Sequence, residues 1–561
     1  MLLSAKRLAP PSLIVVFVLI GSLAVASSAG AKAKGFKYGV TATEVSSNSA
    51  ILWAKANRSG NVTILASTRS LGGKACARSS GGKGPSLAAG KAKKSHDNTV
   101  QVPVGGLQAG KEYRYVFCMG SNAQSDFGTF TTAPKLNKAK TIHFALAGDQ
   151  DARPLPGGKT PYWNRFGVWN RIRKQNNDFN VLMGDTIYSD TEVPGYGLDD
   201  VAVSVKEKWD AYKTNLALRP WVRARGSAAY YAHWDDHEFI NDFSRQENSF
   251  PYSNDGKALG STNISGEKLY KNGVKAFRDY NPVTYSPKTG IYRSERWGKN
   301  LEIFFLDERS FRSASADTGG VCDTPSGSGT PDVAPTAPQS TRNLFSLIVP
   351  ALAQPASPEC MARINDPNRT MLGSKQLSVF KKAIKASDAT FKVIFNEVPI
   401  QQYYALPYDR WEGYEAERQE VLHYLDDNVK NAVFLTTDVH ANLVNDARFN
   451  TLGDAGVQNS GILDITSGPV ATENFSGEIS GAVGNPGAGP LVQGLFLKPQ
   501  PPAGVGMQCA ATDQFSYAEV KVTKRQLTVD LLDAQNQPVL DTGDTDTPGA
   551  TPCAQVVIPA E

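Results

Sequence analysis

Six short runs after residue 140 are almost wholly apolar: 142–147, 179–183, 229–233, 301–306, 391–395 and 432–437. Runs of this kind predict strands covered on both faces. Amphipathic stretches lie between them, at 162–175, 203–215, 267–280, 375–386 behind an N-cap at Ser374, and 415–429. Strands alternating with helices predict one large α/β domain over 141–561. Residues 35–134 have another pattern, with shorter segments, turn-rich links and the half-buried alternation of 61–66. Further strands are predicted there at 49–54, 99–104, 112–117 and 125–132, which together make an all-β sandwich.

Three stretches break the rhythm. A Gly-, Lys- and Ser-rich surface loop is expected at 71–95. A low-complexity insert at 313–360 reads as a surface excursion, disordered or serving as a lid. A second Gly- and Pro-rich interruption covers 477–506. The alternation at 515–522 and 526–532 predicts an antiparallel hairpin that completes a sheet.

Composition adds the compartment. Lys6 and Arg7 precede an apolar run from Leu13 to Val25, and small residues follow. This is the pattern of a secretory signal peptide, placed at 1–31. The run is short for a spanning helix, so no stable membrane span is expected after cleavage. The location expected is secreted, periplasmic or cell-surface. Six cysteines fall as neighbouring pairs in three regions. Without the close spacing of a zinc site, they predict disulfides 76–118, 322–360 and 509–553, although six cysteines permit many other pairings. The net charge of +5 is mild. No aromatic-interleaved basic patch suggests specific nucleic-acid recognition.

The chemistry lies where the apolar runs stop. They lead into Gly148-Asp149-Gln150, Gly184-Asp185-Thr186-Ile187-Tyr188, Trp234-Asp235-Asp236-His237-Glu238, Asp307-Glu308-Arg309, Asn396 and Asp438-Val439-His440. Ligands bind beyond the carboxyl ends of strands in such sheets. If these ends are neighbours, so many carboxylates cannot all stay ionised without cations. A site for two or more metal ions is therefore predicted. A secreted calcium-binding adhesive or scaffold protein is the alternative, but Asp-x-Asp-x-Asp-Gly repeats are missing. A serine hydrolase would need Gly-x-Ser-x-Gly, which does not occur.

Gly-Asp-x-Ile-Tyr, Trp-Asp-Asp-His-Glu, Leu-Asp-x-Arg and Asp-Val-His, in that order, resemble the PhoD-like alkaline phosphatases of the calcineurin-like metallophosphoesterase superfamily. The order Leu-x-x-Gly-x-x-Tyr-x-Tyr and Gly-x-Phe-x-Thr before them resembles a fibronectin type III module. The first resemblance implies a four-layer αββα core. It implies metal ligands at Asp149, Asp185 (bridging), Tyr188 (a phenolate to ferric iron), Asp236, Asn241, Asn396, Asp438 and His440. It implies a catalytic role for His237. Arg309 would clamp phosphate as a planar fork, or else form a structural ion pair. Asp235 and Glu238 are read as groups that orient their neighbours. The implied reaction is hydrolysis of small phosphate mono- or diesters by a metal-activated hydroxide. PhoD itself has Cys-Gln at the first strand end, and Asp149-Gln150 stands there here. Iron or calcium is the expected metal, with manganese or zinc as alternatives.

Overall fold

All six apolar runs form strands, and they divide three and three between two sheets. The computed structural model describes residues 35–79, 86–197, 200–247, 264–324, 329–347, 349–453, 456–497, 505–541 and 553–561. The signal peptide expected at 1–31 lies outside them. Among the described residues, the larger sheet has nine strands and the second has seven. Ile142–Ala147, Phe179–Met183 and Ala229–His233 run parallel at the centre of the first. Leu301–Phe305, Phe391–Asn396 and Ala432–Thr436 run parallel in the second. Leu182 sits opposite Ala147 and Met183 opposite His233; Phe305 faces Phe395, and Asn396 faces Thr436. The carboxyl ends within each trio are therefore nearly level.

Alternate side chains of each strand point to opposite faces, and that splits the core in layers. Phe144, Leu146, Val181, Phe305, Val393, Phe395 and Leu435 meet between the sheets. Phe144 and Phe395 touch edge to face across that gap, 6.0 Å between centroids. Ala145, Leu182, Tyr230 and Ala232 face outward onto Trp169, Tyr212 and Phe277 of one helical layer. Phe304, Ile394 and Phe434 face outward onto Phe380, Ile384, Leu422 and Leu425 of another. Each large apolar side chain buried this way contributes about 1.5–3 kcal/mol. The fold is mixed α/β, with helices outside two facing sheets.

The N-terminal segment does not stand alone as the expected sandwich. Phe36–Thr43 pairs in parallel with Ala229–His233, and Ala50–Ala56 and Thr99–Val104 continue the same nine-stranded sheet. The remaining strands, Gly60–Ser67, Ser86–Ala92, Glu112–Met119, Ala123–Gln124 and Gly128–Thr131, form a third sheet. Val62, Ile64, Tyr115 and Phe117 of that sheet share a core with Val40, Leu52 and Val102. Two layers do pack there, but one belongs to the α/β sheet. At the other side, Ser516–Val522 and Gln526–Asp533 form an antiparallel pair that joins Ile142–Ala147, as expected.

Several local expectations are corrected. The helix expected over 162–175 is confined to Val168–Ile172; Asn164 accepts from the Phe166 N–H in a tight turn, and Phe166 is left-handed. The helix expected from 375 starts at Gly373, with Leu372 at the cap, so Ser374 lies inside its first turn. The interruption at 477–506 is met by two helices, Phe475–Val483, which enters it, and Ala488–Leu497 within it. The insert at 313–360 is packed: its described part includes helices Gln339–Phe345 and Pro358–Ile364, and Arg342 holds Asp332 through two hydrogen bonds of 2.8–2.9 Å. Composition hid this because a few residues carry the burial. Ala334, Ala337 and Leu352 pack with Phe475 and Phe496. The three expected disulfides, Cys76–Cys118, Cys322–Cys360 and Cys509–Cys553, are all present.

Candidate metal centre

The two sheets meet at their carboxyl ends. The Thr437 hydroxyl donates to the Met183 carbonyl at 2.5 Å, one strand end bonded to the other across the gap. A Cβ on Gly148 would come within 2.6 Å of that same carbonyl and 2.7 Å of Thr437. Only glycine allows so close an approach. Immediately beyond, Asp149, Asp185, Asp438 and His440 all have positive φ, between 42° and 73°. Asp and His tolerate this region better than most side chains, but four such residues at neighbouring strand ends signal a functional constraint.

These turns aim the polar groups at one another. Ligand atoms of Asp149, Asp185 and His440 lie within 4.8 Å of each other, as do those of Asp185, Asp236 and His237, and those of Asp235, Asp236 and Asp438. The Tyr188 hydroxyl lies 2.9 Å from His440 Nε2. Asp149 Oδ2 and Asn396 Oδ1 are buried with no hydrogen-bond partner, while the Asn396 amide donates to the Val398 carbonyl at 2.6 Å. Buried acceptors without donors are costly. The Asp149 oxygen, among converging carboxylates, is one that a cation would satisfy.

The surrounding residues fix this geometry. Glu238 accepts from the backbone N–H groups of Thr186 (2.6 Å) and Asp235 (2.6 Å), which locks two strand-end loops together. His237 Nδ1 contacts Asp190 at 2.7 Å, and the His237 and Tyr188 rings lie 4.1 Å apart. Asp236 accepts from the N–H groups of His237 (2.9 Å) and Asp242 (2.5 Å). His440 Nδ1 contacts Glu478. Thr472 donates to Glu192, which lies close to His440 and Glu478.

Burial and like charge dominate the electrostatics. Burial pushes the Asp149 carboxyl up to about 7, with Asp235 adding to the rise. Burial likewise brings Asp235 to about 7 and Glu238 to about 8, and raises Asp185 and Asp438 well above the usual range. Burial alone would depress the histidines. Asp190, Asp185 and Asp236 outweigh it and raise His237 well above its ordinary value; Glu478, Glu192 and Asp149 bring His440 to about 10. Without cations the site holds its charge down by keeping protons.

The sequence profile of the PhoD-like phosphatases matches residues 157–531, more than half of the 561-residue chain. The chain belongs to the PhoD-like phosphatase family. The profile of the N-terminal domain of PhoD-like phosphatases matches residues 22–134. Alkaline phosphatase D of Bacillus subtilis (strain 168) is 22% identical over 382 residues, covering 62% of this chain. The match spans 54% of that curated relative, about half its length. The solved structure of PhoD is similar with a TM-score of 0.65 at 17% identity, covering 94% of this chain and 90% of the other. The purple acid phosphatase PPD1 from yellow lupin (Lupinus luteus) seeds gives 0.52 at 10% identity, over 91% and 74%. At these identities the likeness is one of fold.

In this PhoD-like chain, Asp149, Asp185, Tyr188, Asp236, His237, Asp438 and His440 come together at the strand ends. Asn396, at the end of its strand opposite Thr436, has a buried amide oxygen with no hydrogen-bond partner. Asn241 enters the network through its backbone N–H, which donates to Asp190 at 2.8 Å. Of the two roles expected of Arg309, the structure shows the ion pair. Arg309 is fully buried, and it pairs with Asp235 through Nε, with Asp409 through Nη1 at 2.6 Å, and with Asp438 through Nη2 at 3.2 Å. A guanidinium with all three nitrogens engaged by carboxylates forms an internal ion network, one of the two roles expected of it. Asp409 is also shared with Arg312, and the two arginines outweigh burial and hold its carboxyl below the usual range. Sequence reasoning missed Asp190, Glu192, Asp409 and Glu478. Only Asp190 carried a signal, two residues past Tyr188 on the same loop.

Proposed function

We propose that this chain is a secreted, metal-dependent phosphoesterase that hydrolyses small phosphate mono- or diesters. The observation that carries the reading is the convergence of Asp149, Asp185, Asp236, Asp438 and His440 from the ends of two sheets, in a chain of this family. The names of its relatives, an alkaline phosphatase D and a purple acid phosphatase, agree with it.

The residues present suit a pair of cations. Asp149, Asp185, Tyr188 and His440 would hold one. Asp185, Asp236, Asn396 and Asp438 would hold the other, with Asp185 common to both. Carboxylate, amide and phenol oxygens outnumber nitrogens in this set, which favours iron, calcium or manganese over zinc. Bound cations supply the Lewis acidity that activates water and neutralises developing phosphoryl charge. His237, whose Nδ1 contacts Asp190, would deliver a proton to the leaving oxygen. Asp235 and Glu238 hold loops, and Arg309 fixes where Asp235 and Asp438 point.

Export fits three disulfides, and no helix among the described residues is long and apolar enough to cross a membrane. The test is hydrolysis of p-nitrophenyl phosphate and bis-p-nitrophenyl phosphate by purified protein, with and without chelator, alongside metal analysis. Chelator-sensitive release is expected from at least one ester. Release from neither would end this reading.

A further inference from the structure

We propose that Glu478 is a positioning residue for the metal centre: from a helix outside the strand-end motifs, it sets which nitrogen of His440 faces Asp149, Asp185 and Tyr188. The inference rests on the metal-centre reading above and adds to it a residue that no motif marks.

The argument starts from the imidazole. A neutral ring has one donor and one acceptor nitrogen, and a partner on either side fixes which is which. His440 Nδ1 contacts the Glu478 carboxylate, and Nε2 faces the Tyr188 hydroxyl at 2.9 Å. An ionised carboxylate only accepts, so Nδ1 carries the hydrogen. Once the ring is neutral, as a metal ligand must be, the Nε2 lone pair is aimed at Tyr188, in the group that His440 forms with the Asp149 and Asp185 carboxylates. Fixing the tautomer and the ring plane in this way is how outer carboxylates strengthen metal-binding histidines.

The helix carrying Glu478, Phe475–Val483, is anchored to His440 a second time. Its first residue, Phe475, donates its backbone N–H to the His440 carbonyl at 3.2 Å. Asn474 caps the helix by accepting from Gly477 at 3.0 Å. Phe475 and Ile479 then pack in one apolar cluster with Val439 and Ala441, the residues flanking His440 in the chain. The same cluster includes Ala334, Ala337 and Leu352 of the 313–360 insert and Phe496 of the next helix. The insert and the two helices thus form the wall behind His440, and Glu478 is the polar point through which that wall touches the site. Glu192 lies near His440 but is engaged by the Thr472 hydroxyl and by the Glu473 N–H at 3.3 Å, while Glu478 is the direct partner of Nδ1.

The test is Mn(II) binding to chelator-stripped full-length protein, followed by the paramagnetic resonance signal of the free ion. Wild type is compared with Glu478→Ala, Glu478→Gln and the neighbouring control Glu473→Gln. Glu478→Ala is expected to weaken one class of Mn(II) site by about 10- to 100-fold, the usual effect of losing such a partner. Glu478→Gln, whose amide oxygen can still accept from Nδ1, is expected to lose less, and Glu473→Gln to match wild type. Circular dichroism of the stripped variants checks the fold; if Glu478→Ala fails to fold, Glu478→Gln carries the comparison. Wild type binding Mn(II) while every folded Glu478 variant binds it equally well overturns the positioning role alone. Wild type binding no Mn(II) overturns this inference; if elemental analysis of the untreated protein also finds no metal, the metal centre falls with it.

Discussion

His237 is held by Asp190, five residues past Asp185 on the same strand-end loop, whereas His440 is held by Glu478, 38 residues away on a separate helix. The contrast runs through the whole site. On the nine-stranded sheet, Asp185, Asp190, Asp236 and Glu238 support one another and His237 within two adjoining loops. On the seven-stranded sheet, Asp438 and His440 are steadied by groups from outside their loop, Arg309 with Asp409 on one side and Glu478 on the other. One half carries its scaffold in the motif. The other borrows it from long connections, and its geometry depends on how those connections pack.

The largest effect should come from the self-supporting half. Asp185 belongs to two of the ligand groups, so Asp185→Asn should abolish chelator-sensitive turnover and lower the bound metal measured by elemental analysis. His237→Ala should keep the metal and lower kcat by about 10²–10⁴-fold, the range for losing a general acid. If His237→Ala also emptied the site, the division between ligand and proton donor would fail.

The borrowed half is tested next by Arg309→Met. Removing one partner of a buried ion network leaves stranded charge and costs about 3–5 kcal/mol. Urea unfolding of the metal-free protein should show a loss of that size. Unchanged stability with reduced turnover would instead return Arg309 to phosphate binding.

A smaller effect concerns pH. Asp149 and Asp235 sit at about 7, Glu238 at about 8 and His440 at about 10 in the metal-free fold, all above their unfolded values. Groups shifted this way bind protons more tightly when folded, so their stabilising contribution is present at low pH and is lost as pH rises. For the carboxyls the loss runs from about pH 4 to 8, and for His440 from about 6.5 to 10. Asp409 acts in the opposite sense, below pH 4. The melting temperature of stripped protein should therefore fall across this range, and saturating metal should flatten the fall. The smallest effect is expected at Asn241, which contributes a backbone N–H. Asn241→Ala should change stability by about 0.5 kcal/mol or less and leave metal content unchanged.

The pattern of what could be read in advance follows the same division. Asp149, Asp185, Asp236, Asp438 and His440 each follow an apolar strand, so burial and charge clash within one short segment and mark them. Glu478 and Asp409 have no such neighbours; they reach the site through tertiary packing that leaves no local period. Arg309 was visible as a residue, and an ion pair was one of its two expected roles, but its partner Asp409 was not placed beside it. The strands at Asn442–Asn450 and Gln458–Thr466 escaped notice because polar residues interrupt them. The alternation of strand and helix was legible throughout 141–561, yet nothing local announced that Phe36–Thr43 would pair with a strand almost two hundred residues later.

That pairing has a practical meaning. Ala229–His233 delivers His237, and its far edge is covered by Phe36–Thr43. Tyr231 and Trp53 tie the two regions further, through the Val45 and Asp279 carbonyls. Cutting the chain between 134 and 141 would uncap the strand beside the site and present a bare row of amide and carbonyl groups, a template for sticking to other chains. The N-terminal segment is therefore the selvedge of the catalytic sheet, and a shortened protein that lacks it would aggregate before its chemistry could be measured.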